Sequence, residues 1–251
     1  MVVMNSLTKR TITLLMLPLL LGACSKEAEL SNTESSNAEL SNAELLRNAY
    51  LNCIEVTEEK IRPLVTLTKD DKDVIWNEAG DRVLLFTFHR YPDSYPDGQE
   101  ITFTWGESWL CSVQEYKSWY LHNKDNINDA LLRTKQVLGM AEDSQNTYIS
   151  TMWFDPKDVS RPAYVTDPTK QMKLEFDEGV SEEYKSWFTS QYYYSYETKH
   201  LPWTRLGYTY DWSKEAKDRY GLTEFIAWKG TTVKVEKTLT VEQFCLPLMR
   251  K

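Results

Sequence analysis

Two stretches set what this chain can fold into. Residues 83–90 place Leu84, Phe86 and Phe88 on one side of an extended backbone, and residues 100–111 do the same with Ile101, Phe103 and Trp105. Period-two alternation of aromatic and β-branched side chains marks strands packed on one face. The intervening YPDSYPDG concentrates turn-forming residues, so the pair is expected as an antiparallel hairpin with a long loop.

Helices should follow. Ser112 with Glu115 three residues on fits a capping box, predicting a helix to about His122. A second helix is expected from Asp125 or Asn126 as cap, with Ile127, Leu131 and Leu138 at helical spacing and Gly139 as a left-handed stop. Residues 45–54 also read as helical, and Ser181 opens another helix whose first turn carries Glu182 and Glu183. Further strands are expected at 147–154, 172–176, 222–228 and 232–237. The expected fold class is α+β, antiparallel hairpins with short helices, as one globular domain over 46–251.

The pentapeptide EYKSW occurs at 115–119 and again at 183–187. Leu138-Gly139 and Leu206-Gly207 follow the two copies at the same offset, which would mark an internal duplication. Against it, the caps differ and the intervening residues do not match.

The N-terminus carries an address. A basic start with Lys9 and Arg10, an apolar run over 11–21 and the small residues Gly22 and Ala23 make up a secretory signal peptide, 1–23. The run is too short for a permanent span, which takes about 20 residues. At its end, Leu21-Gly22-Ala23-Cys24 resembles the lipobox of bacterial lipoproteins. That resemblance implies cleavage before Cys24, acylation of Cys24 and attachment to a membrane; with Ser25 rather than aspartate next, it favours the outer membrane, with the domain facing the periplasm. Residues 24–45 repeat NAELS imperfectly without amphipathic spacing and read as an acidic tether. Twenty-one flexible residues reach about 25 Å.

Removing Lys9 and Arg10 from 29 basic residues leaves 27 against 37 acidic ones, a net of -10. Such a surface repels nucleic acid, and no basic block offsets it. Glycines number nine, with no phosphate-cradling pattern, so no cofactor is implied. His89, His122 and His200 lack one-turn spacing, and no metal site is expected. Export places Cys53, Cys111 and Cys245 in an oxidising compartment; Cys53 and Cys245, near the two ends of the domain, are the pair expected to form a disulfide.

Aromatic residues make up 13% of the chain, enough to raise the prospect of a binding surface. The densest mixture of aromatic and charged groups lies at 202–212, where Trp203, Arg205 and Tyr208 are the candidate ligand-binding residues. The alternative is an aromatic turn packed onto the sheet. Gly106-Glu107-Ser108-Trp109-Leu110 begins like a nucleophile elbow but lacks the second glycine. Glu107, flanked by Trp105 and Trp109, could instead act with Asp211 as a hydrolytic carboxylate pair. Two functions thus stand: a membrane-anchored binding or structural module for an envelope glycan, peptide or protein, and a hydrolase of an envelope polymer.

Overall fold

The computed structural model describes residues 39–249; the leader, Cys24 and the tether up to residue 38 lie outside the described residues. The domain is α+β. Its main sheet has seven strands in the order β2-β9-β4-β1-β3-β8-β5, and every registered pair is antiparallel. In chain order these are β1 Val83–His89, β2 Glu100–Thr102, β3 Ser108–Ser112, β4 Tyr148–Phe154, β5 Val159–Ser160, then β8 Phe225–Ala227 and β9 Thr232–Thr240. A separate two-stranded ribbon pairs β6 Tyr208–Tyr210 with β7 Tyr220–Thr223.

β1 is central, and its alternation sorts two cores. Leu84 and Phe86 face a cluster built with helices α2 (Val113–Asn123), α3 (Ala130–Val137) and α5 (Val241–Met249). Val83 and Leu85 face a second cluster, closed by irregular chain carrying Val65, Leu67, Val74, Tyr95 and Phe103. Ile101, Phe103 and Trp105 share that second face, as their spacing predicts.

The expected hairpin forms only in part. Residues 100–111 break into β2, which joins β9 at the far edge, and β3, which joins β1. Between them Phe103 exchanges backbone hydrogen bonds with the turn at 230–231, continuing the β2–β9 register by one pair, and packs in the core before the chain reaches β3. Residues 172–176 form no strand; Met172 instead fills a satellite cluster with Leu64, Ala163, Val165, Leu206 and Tyr208. Neighbouring chain is held by buried Arg161, whose guanidinium donates to the carbonyls of Val65 at 2.7 Å and of Asp167 and Pro168 at 3.0 Å each, and to that of Lys170. Those carbonyls are thereby satisfied without a ladder.

Helix starts follow local chemistry. α1 (Asn42–Ile54) begins earlier than the tether boundary at 45 predicts, because Ser41 and Glu44 form a complete capping box; Leu45, Ala49 and Cys53 then lie on its buried stripe. Ser112 caps α2, but Glu115 does not return the bond: its carboxylate reaches Thr223 instead. α3 is capped by Asp129, and a short 3-10 turn occupies 124–126 where the cap was expected. Gly139 does take the left-handed conformation after α3, at φ 65°. α4 (Glu182–Tyr193) starts at Ser181 as expected, and α5 at the C-terminus has no counterpart in the sequence reading.

EYKSW opens α2 and α4 alike, yet α2 follows a strand directly and α4 does not; the later strands β4 and β6 also belong to different sheets. The shared motif is therefore a helix start in two unlike surroundings. Cys53, Cys111 and Cys245 are all buried and free, so the Cys53–Cys245 disulfide is not formed. Cys245 packs against the Tyr116 hydroxyl in the helical core, whereas Cys53 ends α1.

Asp211 and Arg133 make a buried bidentate ion pair at 2.9 and 2.5 Å, joining α3 to the chain after β6. Trp119 lies under the guanidinium at 4.7 Å. Removing one partner leaves an uncompensated buried charge. Asp211→Asn should lower stability by about 3–5 kcal/mol in urea unfolding; a loss below about 1 kcal/mol would show that the pair does not bind α3 to this segment.

Candidate functional site

The β1–β3 ladder registers two pairs, Leu85↔Ser112 and Phe86↔Cys111, although β1 continues to His89 and β3 starts at Ser108. Beyond Phe86 the strands splay. A cleft of about 670 Å³ lies there, with Thr87, Phe88 and His89 on one side and Ser108 and Trp109 on the other. Its remaining wall comes from the turn after α3 and from the chain running out of α4.

That last wall is irregular for a reason. α4 continues into a π-helix, Tyr194–Lys199, and His200 then adopts φ 52°, a left-handed conformation uncommon for a non-glycine residue. These turns bring Tyr194, Ser195, Leu201, Pro202 and Trp203 to the cleft. Trp203 meets Trp109 edge-on at 6.2 Å between ring centres and packs against Phe188 at 4.9 Å. Trp105, stacked on Phe103 at 5.0 Å, adds a third indole to the lining.

Polar groups are few and unequal. His89 is committed: its Nδ1 accepts from the Tyr91 backbone N–H at 3.1 Å, which leaves the proton on Nε2, 2.7 Å from Ser150 Oγ. The relay continues from Ser150 through Thr238 to the Tyr95 carbonyl. Burial lowers the imidazole pKa to about 4, so the ring is neutral and has no free nitrogen for base catalysis. The Ser108 hydroxyl accepts from Trp105 Nε1 at 2.9 Å, and among the described residues no hydrogen bond joins it to a histidine or a carboxylate.

Glu224, between β7 and β8, is different. It lines the cleft and is partly buried, and its Oε2 is shielded with no hydrogen-bond partner. Desolvation raises its pKa to about 8. Trp203 Nε1 is likewise shielded and unpartnered. An unsatisfied donor and an unsatisfied acceptor thus belong to one cleft, where buried polar atoms ordinarily find partners.

Of the residues singled out in the sequence, Trp105, Glu107, Trp109 and Trp203 come together here. Arg205 does not. Its guanidinium donates to the Cys53 and Ile54 carbonyls at 3.1 and 2.6 Å, satisfying the C-terminal end of α1, and to the Tyr196 hydroxyl at 3.1 Å. Tyr208 is buried, donates to the Lys60 carbonyl at 2.9 Å and also lies away from the cleft. The expected exposed patch of Trp203, Arg205 and Tyr208 is therefore not a surface. Nor are Glu107 and Asp211 a catalytic pair, because Asp211 is buried against Arg133 and does not line the cleft. Glu224 was missed; its only signal was a lone acid in the apolar run LTEFIAW.

Among the described residues, no group of three or more His, Cys, Asp or Glu side chains is placed to hold a metal ion. No helix of the described residues is long and apolar enough to cross a membrane. Comparison with family models, curated proteins and solved structures finds no match.

The buried acids make a pH prediction. Glu115 is enclosed and accepts from Thr223 N at 2.9 Å and Thr223 Oγ1 at 2.9 Å, yet burial outweighs these bonds and lifts its pKa to about 8, like that of Glu224. In the unfolded chain both titrate near 4.5. Their contribution to stability is therefore full below 4.5 and lost as pH rises through about 8. His89 acts oppositely, but only below its unfolded value of 6.5. Between pH 8 and 6.5, stability should rise on acidification, and Glu115→Gln should flatten that slope by up to about 1.4 kcal/mol per pH unit. Urea midpoints at the two pH values measure it; an unchanged slope would mean that Glu115 is ionised in the fold.

Proposed function

We propose that this protein is a lipid-anchored envelope protein whose cleft binds one small, largely apolar molecule. The observation that carries the reading is the splay of β1 from β3, which opens a 670 Å³ space walled by Trp105, Trp109, Trp203 and Tyr194. That volume falls within the range of small-ligand sites, about 300–1,000 Å³, and the balance of apolar walls and sparse polar groups is the usual one. Binding is favoured over hydrolysis because His89 and Ser108 are both tied into hydrogen bonds and Asp211 lies elsewhere. A glycan remains the less fitting occupant. Its many hydroxyls would need more hydrogen-bonding partners than this lining offers.

The experiment is a titration with a neutral fluorescent arylamine, N-phenyl-1-naphthylamine. Saturable one-to-one binding is expected, accompanied by a change in tryptophan emission. Gln191→Trp, on the α4 wall, should fill the space and weaken binding about tenfold or more, a change of about 1.4 kcal/mol. Absence of saturable binding to the folded protein would end the proposal.

The anchor is argued separately. The leader and Cys24 support lipidation, and the acidic repeat after Cys24 supports a stalk between membrane and domain. In cells, Cys24→Ser should stop incorporation of labelled palmitate and move the protein from the membrane to the soluble fraction. Retention in the membrane without label would refute acylation at Cys24.

A further inference from the structure

The cleft has a charge character that its apolar walls conceal. None of its lining residues is Lys or Arg, and its acids are Glu107 and Glu224. An anionic ligand would therefore enter a site that already holds two acids and offers no cation to pair with it. A neutral ligand would find the three indole rings, but it would leave the Glu224 carboxyl without an ionic partner.

We infer that the ligand is an organic cation, an alkyl- or aryl-ammonium, seated on the faces of Trp105, Trp109 and Trp203 with the Glu224 carboxylate as its counter-ion. This rests on the reading of the cleft as a ligand site. Indole rings carry negative charge density on their faces and attract cations within about 6 Å, most strongly where water is excluded. The partner carboxylate must be held where solvent does not screen it, which is the situation of Glu224 Oε2. Glu107, half-exposed between Trp105 and Trp109, adds the same sign of charge at the cleft.

Protons balance simply. The free protein holds a proton on Glu224 at neutral pH; the ammonium displaces it to solvent, and the carboxylate pairs with the bound cation. The titratable groups around Glu224 are Cys111 of β3 and Cys53 of α1, both sensitive to its charge, and Glu115 of α2, which bonds the adjacent Thr223. Glu107, His89, Tyr91, Tyr95 and Tyr194 share its cleft. The permanent cations nearby are Arg161, packed against Gly207 and Phe225, and Arg205 at the end of α1; both guanidiniums are bonded to backbone carbonyls and neither lines the cleft, so a counter-charge inside the cleft comes from the ligand.

Three probes with one body separate the alternatives: 4-phenylbutylamine, 4-phenylbutanol and 4-phenylbutyrate, titrated by tryptophan fluorescence at pH 8.5 and 6.5. The amine stays charged at both, since alkylammonium groups titrate near about 10.4. At pH 8.5 it should bind about tenfold more tightly than the alcohol, and the butyrate should be weakest. The advantage should shrink at pH 6.5, where displacing the Glu224 proton is harder, and be lost in Glu224→Gln with the fold checked by circular dichroism. Equal or better binding of the alcohol or butyrate at pH 8.5 overturns the inference, as does an amine advantage that survives Glu224→Gln. Binding of the arylamine with no preference for the phenylalkyl amine overturns only the cation. If neither the arylamine nor any of the three binds, the cleft reading falls with it.

Discussion

Burial of both faces of the seven-stranded sheet is the constraint on which the rest of the fold depends. Helices α2, α3 and α5 cover one face, and the other is covered by chain with little regular structure, carrying Val65, Leu67, Tyr95 and Phe103. Irregular chain can bury apolar side chains as well as a helix does, but its carbonyls then need donors from elsewhere. Arg161 supplies one such bond to Val65 and three more to the neighbouring segment at Asp167, Pro168 and Lys170, and Arg205 closes the end of α1. Both arginines are used as multi-pronged backbone donors, a task to which a planar guanidinium is suited and a lysine is not.

The same packing explains where the aromatic residues go. Tyr116, Phe86 and Phe244 fill the helical core, and Phe103 and Phe154 fill the other. Around α4, Tyr184, Trp187 and Phe188 join Trp203 and Trp228 in a continuous network of tilted and edge-to-face contacts. That network stiffens the wall of the cleft opposite the splayed strands. Only its margin, at Trp109 and Trp203, reaches the cavity, so a high aromatic content is mostly a matter of core, with a small remainder available to a ligand.

This division bears on how far the sequence could be read. The alternation at 83–90 places β1 and both its faces correctly, and Ser112, Ser181 and Gly139 mark helix ends because their chemistry is local. What could not be read is non-local. Nothing within residues 100–111 announces that they will divide between β2 on β9 and β3 on β1 and β8, since those partners lie far along the chain. Glu115 has a capping position, yet its bond to Thr223 wins because burial forces the carboxylate onto the nearest donors. The stretch 202–212 looks like one surface in sequence, but its residues divide among separate tasks: Trp203 at the cleft, Arg205 at α1, Tyr208 on the Lys60 carbonyl and Asp211 on Arg133. Trp105, Glu107 and Trp109 were legible as a cluster because they alternate along adjoining chain; Glu224 was not, because its place beside them depends on β8 pairing with β3.

Several irregularities of this structure meet at the cleft, while buried unpartnered atoms also occur at Arg161 and Asp177 and left-handed non-glycine backbone at Arg205 and Arg219. The π-helix, the left-handed His200, the unpartnered Trp203 Nε1 and the unpartnered Glu224 Oε2 all belong to the walls of one cleft or to the segment that forms them. Each has an obvious relief: a regular helix end at 194–199, a glycine at 200, an apolar side chain at 224. The same cleft also holds a satisfied polar group, His89, whose relay runs through Ser150 to Thr238. Unpaired polar groups in an apolar cavity accord with the proposed binding role, because they supply the directional contacts that apolar walls lack. On this view the cost of a buried carboxyl at neutral pH and the affinity of the cleft have one origin: the same desolvation that holds a proton on Glu224 would strengthen its attraction for any cation that displaces it.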